Sequence, residues 1–440
     1  MKNGSIEFET IKSHKNRLYF LCGIVCVVVL LVVFVITRSH AKYRTTESIP
    51  LINGTINYTP YDLKMVAMYQ EENGDYKSID TVPTSGYTLN EEKSYCEVND
   101  NKDNNITIEY QNGRINFLGM TKKGTKCYLY FDEYVSAKDT ILANSKVNSG
   151  TPNFSQIATA NEGVYKTQDD WGDSYYFRGS VNNNWVKFAG YYWRIIRING
   201  DGSIRLIYNG TSTATTGTNT QISTSAFNNS YNNNMYVGYM YTSGQVHGLG
   251  SSSTIKGELD SWYQTNITNK GYGNKVSTEA GFCGDREPST SSSSSNGSGG
   301  TGTTQTYYGG YIRFTNSTKS PTLKCKNSSD LYTVSGSSKG NKALSNPVGL
   351  ITADEVAMAG GVSGQTNQSY YLYTNQVYWT MSPYYFNASS SYAFVLTVTS
   401  DGNLNYNWVD STFGVRPVIN LSADITIKSG NGSSSTPYEI

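Results

Sequence analysis

Histidine and charge are both scarce in this chain of 440 residues: it has 3 histidines and 16% charged residues, against roughly 25% charge in an ordinary globular protein. Aromatics reach 13%, with 37 tyrosines. Extended disorder needs few aromatics and a strong net charge, so a largely disordered chain is excluded. A formal charge of +1 leaves no basic surplus to neutralise phosphates, and nucleic acid is not an expected partner. His14 and His40 lie near the N-terminus, which leaves His247 as the one candidate base in the distal part of the chain. A loop histidine is its plainer reading, and no catalytic residue is expected. No C-x-x-C pair occurs, which argues against zinc or thioredoxin chemistry. No stretch has the spacing of a 12-residue calcium loop.

What is there begins with an apolar run. Residues 18–36 read LYFLCGIVCVVVLLVVFVI, 19 residues without a charge, close to the ~20 that cross a bilayer as a helix. Lys2, Lys12, Lys15 and Arg17 precede it; Arg38, Lys42 and Arg44 follow. The expectation is a cytoplasmic tail over 1–17, an uncleaved transmembrane helix over 18–37, and an extracellular bulk held at the plasma membrane. A signal peptide cut after Ala41 is the competing reading. It fits less well, because the apolar region exceeds the usual ~7–15 residues. No second apolar run follows.

Of 6 cysteines, Cys22 and Cys26 lie inside the apolar run. Cys96, Cys127, Cys283 and Cys325 remain, an even set on the expected outer side. Their order suggests two local bridges, Cys96–Cys127 and Cys283–Cys325, each contributing about 3–4 kcal/mol in the chain-entropy picture.

From about residue 57 to 134 apolar residues recur with period two. Cys127, Leu129 and Phe131 alternate with Tyr128 and Tyr130. Asn112-Gly113 between two such runs marks a tight hairpin. A β-sandwich domain over 45–135, immunoglobulin-like in the loose sense, is expected to space the distal part from the membrane. Residues 136–160 lack periodicity and read as a linker. Residues 161–440 are taken as one distal domain. Within it, 191–208 reads as two strands around Asn199-Gly-Asp-Gly202, the first apolar on both faces and so central. A helix is predicted over 254–267 from Ile255, Leu259, Trp262 and Tyr263. Another starts at Thr352, where Thr352 and Glu355 can form a capping box and Ile351 and Val356 a staple. The Ser/Gly/Thr run 289–304 reads as a surface excursion.

Three blocks, YWTMSPYYF at 378–386, DGNLNYNWV at 401–409 and FGVRPVINL at 413–421, resemble the end of a bacterial domain of unknown function. That domain is related to formylglycine-generating enzymes and the C-type-lectin-like fold. The chain as a whole resembles N-terminally anchored bacterial surface proteins. The resemblance implies a loop-rich α+β C-type-lectin-like domain over 161–440, on a fold that hosts enzymes, lectins and receptor-binding proteins alike. The chain departs from the enzyme at two places. Cys283 and Cys325 read as a bridge rather than a copper site, and Trp379-Thr-Met-Ser-Pro383 stands where the enzyme has an arginine–glycine–glycine–Ser-Trp segment.

The expected function is non-catalytic recognition or adhesion by the distal domain, toward a surface glycan or protein. The alternatives are an oxidase or hydrolase on the same fold, or a structural envelope protein. Trp379, Tyr384, Tyr385, Tyr406 and Trp408 are the expected ligand-binding residues, since Tyr and Trp offer large rigid contact area with one polar end. No cofactor is expected. If a metal is held, it is calcium on the oxygens of Asp169, Asp170 and Asp173. Arg416, fixed in direction by Pro417, reads as a buried structural arginine holding a loop through hydrogen bonds and a carboxylate.

Overall fold

The computed structural model describes residues 55–57, 63–84, 86–111, 113–133, 135–289 and 299–440. The apolar run at 18–37 lies outside them, and so does most of the Ser/Gly/Thr excursion. The chain divides into two compact units, Met1–Glu133 and Tyr134–Ile440.

The described part of the first unit is two β-sheets, of six and three strands, around one small core of Val66, Met68, Ile115, Phe117, Leu129 and Phe131. Strand Thr125–Glu133 carries the strict alternation read from the sequence, with Thr125, Cys127, Leu129 and Phe131 buried. Its outward tyrosines are not idle: Tyr130 stacks on Tyr69 at 4.9 Å and Tyr128 on Tyr95 at 5.0 Å. Gln111 pairs with Arg114 across the expected hairpin, and Gly113 takes φ +71°, a conformation glycine adopts without penalty.

The first unit does not have the immunoglobulin-like arrangement expected of it. Cys96 and Cys127 are bonded, but they sit opposite each other on neighbouring strands of one sheet rather than pinning two sheets together as in that fold. The longest pairing, Leu63–Glu72 with Thr125–Glu133, is parallel.

The second unit is built on an eight-stranded and a six-stranded sheet that share one large core. Strand Tyr191–Ile198 is bonded to Gly172–Gly179, Trp185–Phe188 and Ile204–Tyr208 and is buried on both faces from Trp193 onward, as its two-sided apolar sequence required. The final strand, Tyr438–Glu439, pairs in parallel with Trp185–Phe188.

Residues 136–160, expected as a linker, are folded into this unit. Helix Ala137–Ala143 is capped by the Ser136 side chain and sends Ala137 and Ile141 into the large core. Strand Val147–Asn148 extends the larger sheet. Ala137 and Ile141, one helical turn apart, dock the helix, with the half-buried Leu142 packed beside them.

The two predicted helices are present. Thr254–Tyr263 is capped by Ser253 and runs on into a π-turn at Gln264–Thr268. Ala353–Ala359 opens with the full Thr352–Glu355 capping box. The α+β expectation nevertheless fails. The described structure is mostly strand, with 14% helix, and its α-helices are short, seven to ten residues each. No helix among the described residues is long and apolar enough to cross a membrane.

Candidate functional site

Four strands of the smaller sheet carry a row of aromatic rings in direct cross-strand register. Tyr307 of Thr306–Tyr307 faces Tyr385 of Tyr378–Asn387, Tyr385 faces Phe394 of Tyr392–Val398, and Phe394 faces Trp408 of Leu404–Trp408. Ring centroids along the row are 5.6, 4.4 and 6.4 Å apart. A second row runs beside it. Tyr384 stacks on Tyr406 at 4.2 Å and packs against Tyr311 at 5.0 Å. At the other side Tyr392 stacks on Tyr231 at 4.4 Å and reaches Trp408 at 5.3 Å.

Neighbours in a strand point to opposite faces, yet Tyr384 and Tyr385 both join this stripe. A β-bulge is the reason. Pro383 pairs with Val395 and Tyr385 with Phe394, so two steps on one strand answer one on the other and an extra side chain is re-aimed.

The stripe opens to solvent at the sheet edge, where Trp408 is 52% and Tyr406 38% exposed. Its surface is neutral. Burial pushes the Tyr385 hydroxyl up to about 12 and raises Tyr384 above its ordinary value, so both stay protonated. Among the described residues, cations lie over rings elsewhere, such as Trp185 and Tyr378, and the carboxylate that acts on the stripe is Asp410 beside Tyr392. The rim is amide and hydroxyl: Asn405 and Ser390 are exposed, and Asn387 and Gln305 half-buried. The edge strand itself is blunted. The Tyr406 N–H donates to the Asn405 side chain at 2.9 Å, and the Trp408 carbonyl accepts from the Ser411 N–H at 3.0 Å. Strand addition at this edge is thereby discouraged, leaving side chains as the contact surface.

A second feature is a buried ionic cluster around a cavity of about 20 Å³, room for roughly one water. Glu355 lies between Arg197 at 2.9 Å and Arg205 at 2.5 Å, and Arg197 also holds Asp169 at 2.6 Å. Burial would raise the Glu355 carboxyl, but the two guanidinium groups outweigh it and hold it below its ordinary value. Arg313 joins Asp285 at 2.5 Å to Asp354 at 2.6 Å. These groups satisfy one another, and the cavity is too small for an organic substrate.

His247 is 3.1 Å from Asp330 through Nδ1 and 3.2 Å from Glu287 through Nε2. The buried Asp330 also takes the Arg286 guanidinium at 2.7 Å. Both ring nitrogens face carboxylates, a loop-locking arrangement.

Trp379 does not join the aromatic stripe. It is fully buried, donates its indole N–H to the Ser225 carbonyl at 2.9 Å, and packs on Phe227 and Phe413. The three candidate calcium ligands diverge. Asp169 points inward to Arg197, Asp170 accepts the Cys325 N–H at 3.0 Å, and Asp173 pairs with Lys166 at the surface. No group of three metal-ligating side chains occurs among the described residues. Cys283 and Cys325 are bonded. Arg416 is buried as expected but by a different route. It donates to the carbonyls of Tyr208 and Leu372 and to the Asn209 side chain, and it lies over the Tyr378 ring at 4.7 Å. Backbone oxygens replace the expected carboxylate.

Phe394, Tyr307, Tyr311 and Tyr231 complete the stripe and are not among the residues expected from the sequence. Phe394 had a signal, because a hairpin closing at Asp401-Gly402 sets Phe394 opposite Trp408. Tyr307 and Tyr231 reach the stripe from distant segments and had none. No protein-family model, curated protein or solved structure matches the chain.

Proposed function

We propose that this is a non-catalytic recognition protein, acting outside the cytoplasm, whose distal unit engages a surface partner through the aromatic stripe ending at Trp408. The observation that carries the reading is the cross-strand row from Tyr307 to Trp408. The sheet holds the rings rigid, so little side-chain entropy is lost on binding. Open aromatic faces with an uncharged amide and hydroxyl rim suit a neutral carbohydrate, whose C–H faces pack on rings while its hydroxyls meet the amides. The two disulfides support an oxidising compartment. A glycan and mucin array probed with the purified protein and its Trp408→Ala variant tests the reading. Binding lost in the variant supports it, and no binding to any glycan removes the carbohydrate assignment.

A further inference from the structure

Lys256 is the one fully buried lysine among the described residues, with 3% of its side chain exposed. It lies on helix Thr254–Tyr263, one turn before Asp260, and its Nζ is 2.5 Å from Asp260 Oδ2. The other oxygen of the same carboxylate, Oδ1, accepts from the Asn346 carboxamide at 3.1 Å. One carboxylate therefore holds a buried amine and a primary amide together. The fully buried Tyr239 closes the site: its ring lies 5.9 Å from Lys256 Nζ, and its hydroxyl donates to the Val348 carbonyl at 3.1 Å. A lysine is rarely buried so deeply without a partner. This one shares its partner with an electrophile.

We propose that Lys256 and Asn346 join in an intramolecular isopeptide bond, with Asp260 as the proton carrier. Asp260 Oδ2 takes a proton from the Lys256 ammonium, and the freed Nζ attacks Asn346 Cγ. The new Cγ–Nζ bond gives a tetrahedral centre. Asp260 returns its proton to Nδ2, the Cγ–Nδ2 bond breaks, and ammonia leaves carrying the second amine proton as ammonium. The balance is one ammonium and one primary amide giving one secondary amide and one ammonium ion. Nothing is oxidised or reduced, and no co-reactant is needed. Holding both reactants on one carboxylate supplies proximity and acid–base assistance together.

The residue after Asn346 favours this outcome. Asparagine ordinarily loses ammonia by attack of the following backbone N–H on its own side chain. Pro347 has no N–H, so Lys256 is the nucleophile the fold offers. The bond would tie the helix to the segment before Gly349 and enclose the whole stretch carrying Cys283–Cys325 in a second covalent loop.

The test is the mass of the purified full chain, denatured and reduced, followed by peptide mapping. The account expects the wild type to be lighter than its sequence by one ammonia, with a branched peptide joining Lys256 to Asn346 and no tryptic cut after Lys256. Asp260→Asn and Asn346→Gln should return to the sequence mass. A folded wild type at full sequence mass overturns the proposal, whether or not the variants fold. So does an ammonia loss that maps to an asparagine–glycine pair, the product of ordinary cyclisation.

Discussion

Tyr385 and Phe394 lie face to face across neighbouring strands, with ring centroids 4.4 Å apart and planes 4° from parallel. The contact sits in the middle of the aromatic row and fixes the register that places Trp408 at the open end. Tyr385→Leu and Phe394→Leu should each destabilise the protein. A double-mutant cycle by denaturant unfolding should give a coupling of about 0.5–1.5 kcal/mol, the scale of an aromatic pair beyond its area burial. Additive effects would mean the rings merely fill space.

Glu355 is the centre of the buried ionic cluster. Glu355→Gln leaves Arg197 and Arg205 without their shared carboxylate and should cost about 3–5 kcal/mol in denaturant unfolding, the range for breaking a buried pair. The native carboxyl is held below its ordinary value. Its contribution is therefore present above the unfolded value of about 4.5 and lost as pH falls through the lower folded value. The stability gap between wild type and variant should close on acidification through that window. A gap independent of pH would contradict the ion-pair account.

His247 works with the opposite sign. Its hydrogen bond to Asp330 raises it above its ordinary value despite partial burial. Its contribution should be complete below the unfolded value of about 6.5 and disappear as pH rises through the raised folded value. Melting curves of wild type and His247→Gln should differ at pH 5 and converge at high pH, where the imidazole is neutral in both folded and unfolded chains. Parallel curves at every pH would show that the histidine only fills its loop.

The Cys283–Cys325 bridge spans 42 residues. Changing both cysteines to serine should lower stability by about 3–4 kcal/mol on the loop-entropy estimate. The bridge also anchors the Cys325 N–H on the half-buried Asp170 carboxylate, so the loop around Asp170 should gain hydrogen exchange in the same variant. An unchanged melting temperature would show that the ion pairs alone hold this region.

What could be read in advance followed from local rules. The capping box at Thr352 and Glu355, the two-faced strand 191–198 and the 254–267 helix each depend on residues within a few positions of one another. The cysteine pairs also followed from order alone. Trp379 shows where this stops. It sits in the same tyrosine-rich run as Tyr384 and Tyr385, and only tertiary packing against Phe227 and Phe413 separates a core indole from an exposed one. The bulge at Pro383–Tyr385 breaks the period-two rule that sorts faces, and no residue count reveals it. Arg197 meets Glu355 across 158 positions and Asp169 across 28, and neither pairing follows from a local rule, so Asp169 reads in the sequence as a free metal ligand. Residues 136–160 carry no sequence signal of their docking, because a seven-residue helix holding Ala137, Ile141 and Leu142 against the core is too short to show a period.

The recognition claim rests on the outer end of the stripe, and one comparison tests it directly. The purified full chain, its Trp408→Ala variant and a Tyr406→Ala variant would be measured against the same immobilised neutral glycans and mucins, with folding checked by melting temperature. Trp408 is 52% and Tyr406 38% exposed, and each also packs on a ring of the stripe, so each variant should lose about 0.5–1.5 kcal/mol of stability and stay folded. The account predicts wild-type binding that falls by about tenfold or more in each variant, equivalent to about 1.4 kcal/mol of contact energy. Wild-type binding that survives both substitutions would contradict it and place the recognition surface elsewhere on the molecule.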